Sequence, residues 1–139
     1  MKQLEQKLKQ ILRGDIETDY DSREFYSHDA SMFELVPEVI VFPKDSKDVQ
    51  DLVKFVDKNK AVSPDLSITA RSAGTDMSGA AIGQSIVIDF MRYFNTVGTV
   101  TKDEANVQPG VFYRDFEAET LKKHAIMPSF PASRDLCAV

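Results

Sequence analysis

Apolar residues along this chain change their period several times, and each change marks an element. Leu4, Leu8, Ile11 and Leu12 recur at the i, i+4, i+7, i+8 spacing of one helical face. That spacing predicts a helix over residues 2–13, with Gly14 as the residue that ends it. Over residues 15–36 the period is lost, and Tyr20, Phe25, Tyr26 and Phe33 are scattered among Asp, Ser and Glu. Such a segment gains order by laying its aromatics on a neighbouring surface. Asp29 and Ser31 are placed to cap one short helical turn through Met32, Phe33 and Leu35, and no chemical role is read from the segment. Residues 38–42 are an almost continuous apolar run bracketed by Pro37 and Pro43, the pattern of a strand.

A helix follows from Asp45 or Ser46 to about Asn59, with Val49, Leu52, Val53 and Val56 on one face and Lys47, Asp48, Lys54 and Asp57 toward water. Residues 66–70 and 86–90 read as strands, the second a β-branched run of buried type. Residues 93–100 and 106–108 read as shorter strands joined by a turn at 101–104. A last helix covers 111–124, with Phe112, Phe116 and Leu121 inward and Glu119 and Lys123 paired outside. Pro128, Pro131, Ala132 and Ser133 then make a stiff loop of small residues before an apolar end.

Strand, helix, strand over residues 38–70 predicts a βαβ unit with its two strands parallel. The expected fold class is α+β: a small parallel βαβ subdomain leading into a second, strand-rich antiparallel subdomain. Residues 1–36 are expected to form an N-terminal helix and irregular segment, and residues 37–139 the main domain. The last residues, Leu136-Cys137-Ala138-Val139, stop inside an apolar run, so the chain is expected to be the N-terminal part of a domain cut short.

Composition narrows the chemistry. With 139 residues, 42% hydrophobic and 28% charged, the chain has the make-up of a soluble domain, and no apolar run is long enough to cross a bilayer. Residues 1–10 alternate Lys, Gln and Glu with Leu, unlike a secretory signal. A cytoplasmic location is therefore expected, membrane-peripheral in a larger parent. A formal net charge of −5 argues against a nucleic-acid partner. Cys137 is the only cysteine, which excludes an internal disulfide and an iron–sulfur cluster ligated by this chain alone. His28 and His124 lack metal-ligand spacing, so no metal site is expected.

The one stretch that asks for a ligand runs from Arg71 to Gly83. Ala73, Gly74, Ser78, Gly79 and Ala80 follow a strand and leave successive backbone N–H groups open to approach, as a phosphate requires. Ala80 and Ala81 stand where a Walker loop needs Lys and Ser or Thr, and no G-x-G-x-x-G is present. A phosphate cradle outside those two families remains, or else a plain flexible turn. The βαβ order puts this loop at the carboxyl end of a strand, where open sheets bind ligands.

Three segments in order carry a resemblance. Arg71-Ser72-Ala73-Gly74-Thr75-Asp76-Met77-Ser78-Gly79, Val107-Gln108-Pro109-Gly110-Val111, and the loop from Pro131-Ala132-Ser133 to Val139 resemble the glycine-rich pyrophosphate loop, the V-x-P-G-V turn and the proline loop of FAD-binding domains of the PCMH, or vanillyl-alcohol-oxidase, type. Residues 33–54, with their Phe42-Pro43-Lys44-Asp45 turn, are most similar to the bacterial FAD-linked dehydrogenases of 2-hydroxy acids such as D-lactate or glycolate. The resemblance implies FAD between two subdomains. Its diphosphate would rest on Arg71, Ser72, Ala73, Gly74, Thr75, Asp76, Ser78 and Gly79, with Pro109, Gly110, Pro131, Ala132 and Ser133 bordering the flavin. Arg71 fits either an anion partner or a brace for the loop.

Members of this family with covalent flavin often carry His where this chain has Thr75, so the resemblance implies non-covalent FAD. Ala73 departs from a glycine common in the loop. The implied parent oxidises a small 2-hydroxy acid, with substrate and catalytic residues past Val139, an undetermined electron acceptor, and room for an iron–sulfur domain or subunit. The competing expectation is a non-catalytic module of the same fold that binds a nucleotide or anion, or serves as a scaffold.

Overall fold

The computed structural model describes residues 2–139. Its elements are α1 (Lys2–Lys9), β1 (Asp15–Glu17), α2 (Tyr20–Phe25), β2 (Val39–Phe42), α3 (Ser46–Asn59), β3 (Ile68–Arg71), β4 (Ile86–Asp89), β5 (Val97–Val100), β6 (Ala105–Val107) and α4 (Tyr113–Leu121). The central sheet has the order β1-β2-β4-β3. β2 and β3 both run parallel to β4, so the two strands of the βαβ unit are parallel, with β4 inserted between them. β1 adds an antiparallel edge. β5 and β6 form a separate antiparallel pair. The α+β class read from the sequence is what the structure has.

Alternation along the buried strands sorts side chains to two faces. Val39, Val41, Ile86 and Ile88 join Leu8, Leu12, Leu52 and Leu66 in one core, beneath α1 and α3. Ile40, Phe42 and Val87 face the other way and pack on Tyr26, which follows α2. A third cluster, Val111, Tyr113, Phe116 and Cys137, sits under α4 against Val97 and Val107. Among the described residues no helix is long and apolar enough to cross a membrane.

Several expectations need correction. Residues 15–36 hold β1 and α2 rather than being wholly irregular, and residues 29–35 do not form the capped helical turn. Tyr93 ends a turn and residues 94–96 are irregular, which leaves β5 starting at Val97. In α4 the inward residues are Tyr113, Phe116, Glu117 and Thr120, whereas Leu121 is exposed and Glu119 pairs with Lys122 instead of Lys123. Gly14 is needed for close approach: a Cβ there would run into the Phe42 carbonyl oxygen.

The largest correction is Asp48. A charge at that position of an amphipathic helix reads as solvent-facing, yet Asp48 is 1% exposed, while Val53 on the predicted apolar face is exposed. The Asp48 carboxylate accepts the backbone N–H of Arg13 (3.1 Å), Gly14 (2.9 Å) and Lys44 (2.9 Å), fastening the end of α1 to the start of α3. Burial pushes its pKa up, but the Lys44, Arg13 and Gly14 amides outweigh burial and hold it below the ordinary carboxyl value. A group lowered in this way stabilises the fold fully above its unfolded pKa, and that stability is lost as pH falls through the folded value.

Asp48→Ala leaves those amides without an acceptor and is expected to lower the unfolding free energy by about 3 kcal/mol in urea titrations at neutral pH. Replacing the exposed Asp57 by Ala should change it by less than about 0.5 kcal/mol. The gap between wild type and Asp48→Ala should shrink below about pH 4. A gap that stays constant from pH 7 to pH 3 contradicts this assignment.

Candidate functional site

The connection between parallel neighbours β3 and β4 must return from the carboxyl end of one to the amino end of the other. Here that return path is the glycine loop itself, with no helix in it. Gly74 and Gly79 both have positive φ, +66° and +84°, a region that L-residues rarely adopt. Arg71, the last residue of β3, folds its guanidinium under Gly74. A Cβ on Gly74 would sit 2.5 Å from Arg71 Nη2 and 2.7 Å from its Cζ. Phe33 closes under Gly79 in the same way, 3.0 Å from a Cβ built there.

Arg71 is 7% exposed. Its Nη1 donates to the His28 carbonyl at 2.5 Å, and its guanidinium carbon lies 5.1 Å from the Tyr26 ring centre and 5.9 Å from that of Phe25. Burial pulls its pKa down, with Tyr26, Asp89 and Asp29 opposing. Among the described residues it forms no ion pair, which is unusual for a buried cation. A guanidinium has five N–H donors, so most of its hydrogen-bonding capacity is left over.

The loop divides into two parts. The amides of Ser72, Ala73, Gly74 and Thr75 donate to no protein acceptor among the described residues. Two later amides are taken: Asp76 Oδ2 accepts the N–H of Ser78, the Ser78 hydroxyl and the N–H of Ala80, each at 2.8 Å, whereas the Asp76 and Met77 amides, like those of residues 72–75, have no acceptor among the described residues. The Ala80 amide first, then the Ser78 hydroxyl and amide, hold the Asp76 carboxyl below its ordinary pKa. Ser78 is thus engaged within the loop, and the open donors lie earlier, over residues 72–77.

Two hollows flank the open stretch. One, about 240 Å³, runs from Arg71 and residues 72–76 to Ala138. The other, about 290 Å³, is lined by Arg71, Ser72 and Ala73 together with Asp89 and the apolar or aromatic Phe25, Tyr26, Met91 and Phe112. Ala138 reaches the first hollow because residues 137–139 pair with the start of α4: Tyr113 N–H donates to the Cys137 carbonyl and Val139 N–H to the Val111 carbonyl, both at 2.9 Å. A larger hollow of about 720 Å³ lies at the opposite, amino end of the sheet, beside Ser67, Gln84 and Ser85. It has neither the glycine loop nor a buried cation, so its size does not make it the better candidate.

The other predicted residues fall into two groups. Pro109 is joined to the loop, its carbonyl accepting from Ser72 Oγ at 2.7 Å. Gly110 packs its backbone on the carbonyls of Phe90 and Phe94 and donates to Phe94 at 2.8 Å. Pro131, Ala132 and Ser133 border neither flanking hollow, and the Ser133 carbonyl caps a turn by accepting from Leu136 and Cys137. The sequence reading passed over Tyr26, His28, Phe33 and Asp89, which shape the underside of the loop. Asp89 carried a signal: a charged residue ending an otherwise apolar buried strand asks for a partner. Glu24, His28 and Glu34 also bring three ligand-type atoms together, all on exposed residues.

Comparisons with known proteins bear on the family and the fold. The chain is 32% identical over 113 residues to D-2-hydroxyglutarate dehydrogenase of Escherichia coli K12, a match covering 80% of this chain and 11% of that protein. It is 30% identical over 119 residues to the Haemophilus influenzae protein of the same name, covering 84% of this chain and 11% of the relative. The chain therefore spans about a tenth of the length of these curated relatives. Among solved structures, an alkyldihydroxyacetonephosphate synthase superposes with a TM-score of 0.78 at 21% identity over 99% of this chain and 30% of the other. p-Cresol methylhydroxylase with substrate bound gives 0.75 at 19% identity over 99% and 28%. At these identities the structures speak to the fold alone. Residues 37–139 match the family described as FAD binding domain, and with most of its length covered the chain belongs to that family.

Proposed function

We propose that this chain holds the diphosphate of a non-covalently bound FAD in an oxidoreductase that oxidises a 2-hydroxy acid. One observation carries the reading: the amides of Ser72, Ala73, Gly74 and Thr75 have no acceptor among the described residues, and under Gly74 lies a buried guanidinium that makes no ion pair. Unpaired donors and a buried cation that makes no ion pair, in one place, fit a dianionic bridge, and a neutral ligand leaves that cation without one.

In this reading Arg71 acts from behind the loop, by its charge and by supporting Gly74. Asp76 keeps the turn over residues 76–80 closed, and the Ser72 hydroxyl ties the loop to Pro109. Pro131, Ala132 and Ser133 approach the flavin only through the turn that presents Ala138. When bound, FAD would supply the redox chemistry as acceptor of the hydride on the substrate's hydroxyl-bearing carbon, the hydroxyl proton going to a base of the parent outside this chain. The names of the relatives favour D-2-hydroxyglutarate over D-lactate or glycolate as the 2-hydroxy acid. Substrate-binding groups and the electron acceptor are assigned to the parent outside residues 1–139, and so is any iron–sulfur domain or subunit, since one cysteine cannot ligate a cluster.

A second reading, a nucleotide-binding or scaffold module without catalysis, draws on the lack of an acid, base and nucleophile set around the loop. The parent enzyme separates the two. It is expected to purify yellow, to release its flavin into the supernatant on acid precipitation, and to reduce a dye with a higher kcat/KM for D-2-hydroxyglutarate than for D-lactate or glycolate. A colourless protein contradicts the flavoprotein reading. Flavin retained in the pellet contradicts non-covalent attachment, and a flavin-loaded protein inactive on every 2-hydroxy acid favours the module.

The isolated chain is expected to bind FAD weakly, because most of a cofactor's surface needs walls this chain lacks. Gly74→Ala places a methyl against Arg71 in a strained φ region and should weaken that binding about tenfold without changing helix content by circular dichroism. Wild-type FAD affinity in this variant clears the loop of the role.

A further inference from the structure

Arg71 and Asp89 are register partners at the ends of neighbouring parallel strands. Opposite charges side by side on one sheet face ordinarily pair. These do not. The Arg71 hydrogen bond goes to the His28 carbonyl, while Asp89 Oδ2 accepts the Tyr26 hydroxyl at 2.7 Å and Oδ1 accepts the N–H of Met91 at 2.7 Å and of Arg92 at 3.3 Å.

Tyr26 therefore touches both charges. Its ring face supports the guanidinium without neutralising it, and its hydroxyl occupies the carboxylate oxygen that would otherwise have only Arg71 to turn to. We infer that Tyr26 is a positioning residue that diverts Asp89 from Arg71 and so keeps the guanidinium unpaired for an anionic ligand. The inference rests on the diphosphate reading of the loop.

The physical alternative is simple to state. Without the hydroxyl, Asp89 Oδ2 is left without a donor in a buried place, where an unpaired charge is costly, and the neighbouring cation becomes its best partner. A guanidinium engaged by Asp89 has its charge cancelled and fewer N–H groups to offer. Asp29 also lies in the field of Arg71: its Oδ1 accepts the Ser31 amide at 2.8 Å and its Oδ2 is buried without a hydrogen-bond partner among the described residues, but Asp29 is common to the wild type and every variant tested below, so it does not account for a difference that Asp89→Asn repairs.

Titration calorimetry with inorganic pyrophosphate on the full chain tests this with Tyr26→Phe, Asp89→Asn and the double variant. Tyr26→Phe keeps the ring and should weaken pyrophosphate about tenfold, the size of one charge-assisted hydrogen bond. Asp89→Asn should bind as tightly as wild type or tighter. The double variant should recover wild-type affinity, because no carboxylate is left to capture Arg71. A merely structural Tyr26 gives a loss that Asp89→Asn does not repair.

Asp89→Glu gives an independent check if Tyr26→Phe proves unstable, since the longer carboxylate reaches Arg71 past an intact Tyr26 and should also weaken binding. Wild-type affinity in Tyr26→Phe or Asp89→Glu, or a loss that persists in the double variant, overturns the inference. Absence of pyrophosphate and FAD binding by the wild type overturns the diphosphate reading itself, and this inference with it.

Discussion

The guanidinium of Arg71 is buried, charged and, among the described residues, without an ion-pair partner, and the surrounding structure is arranged to allow that. Removing an unpaired cation from water costs several kcal/mol unless something replaces hydration. Here the replacement is partial: one carbonyl, from His28, and the faces of Phe25 and Tyr26. Gly74 has to be glycine because the guanidinium occupies the space of its Cβ. What stays unanswered is the charge on the ligand side, and there the loop offers free amides. The cation and the amides point to the same kind of ligand for different physical reasons.

The loop can hold this arrangement because it is also a crossover. β3 and β4 are parallel neighbours, so residues 72–85 have to travel the length of the sheet, and both ends are fixed by strand pairing. Pairing of residues 137–139 with the start of α4 brings Ala138 to the hollow, and the Ser72 hydroxyl fastens the near side to Pro109. Behind the sheet, α1 and α3 are locked together through Asp48 and the leucine core. A rigid scaffold of this kind lets a loop keep donors unpaired without collapsing onto itself.

Elements set by local pattern were legible in the sequence. β2 and β4 read correctly because buried parallel strands are nearly continuous apolar runs, and residues 72–85 were legible as a loop because Gly, Ser and Ala follow a strand there. What escaped were polar residues whose partners are remote. Asp48 looks solvent-facing until Arg13 and Gly14 arrive from 35 and 34 positions away. Tyr26 looks like an idle aromatic until it meets Asp89 at a separation of 63. Segment 15–36 has no period because its order comes from these contacts with the sheet. The assignment of Ser78 as an open donor missed Asp76, whose carboxylate lies close enough in sequence to take the amide first.

The chain belongs to the FAD binding domain family, and the central proposal is that residues 72–75, beside Arg71, are where it receives negative charge. Amide chemical shifts of the labelled chain during a pyrophosphate titration report on this directly. The account predicts saturable shifts of the Ser72, Ala73, Gly74 and Thr75 N–H signals, with Ser78 and Ala80 little changed because Asp76 retains them. Unmoved signals over residues 72–75, with shifts instead at Ser67, Gln84 and Ser85 around the larger hollow, would contradict it.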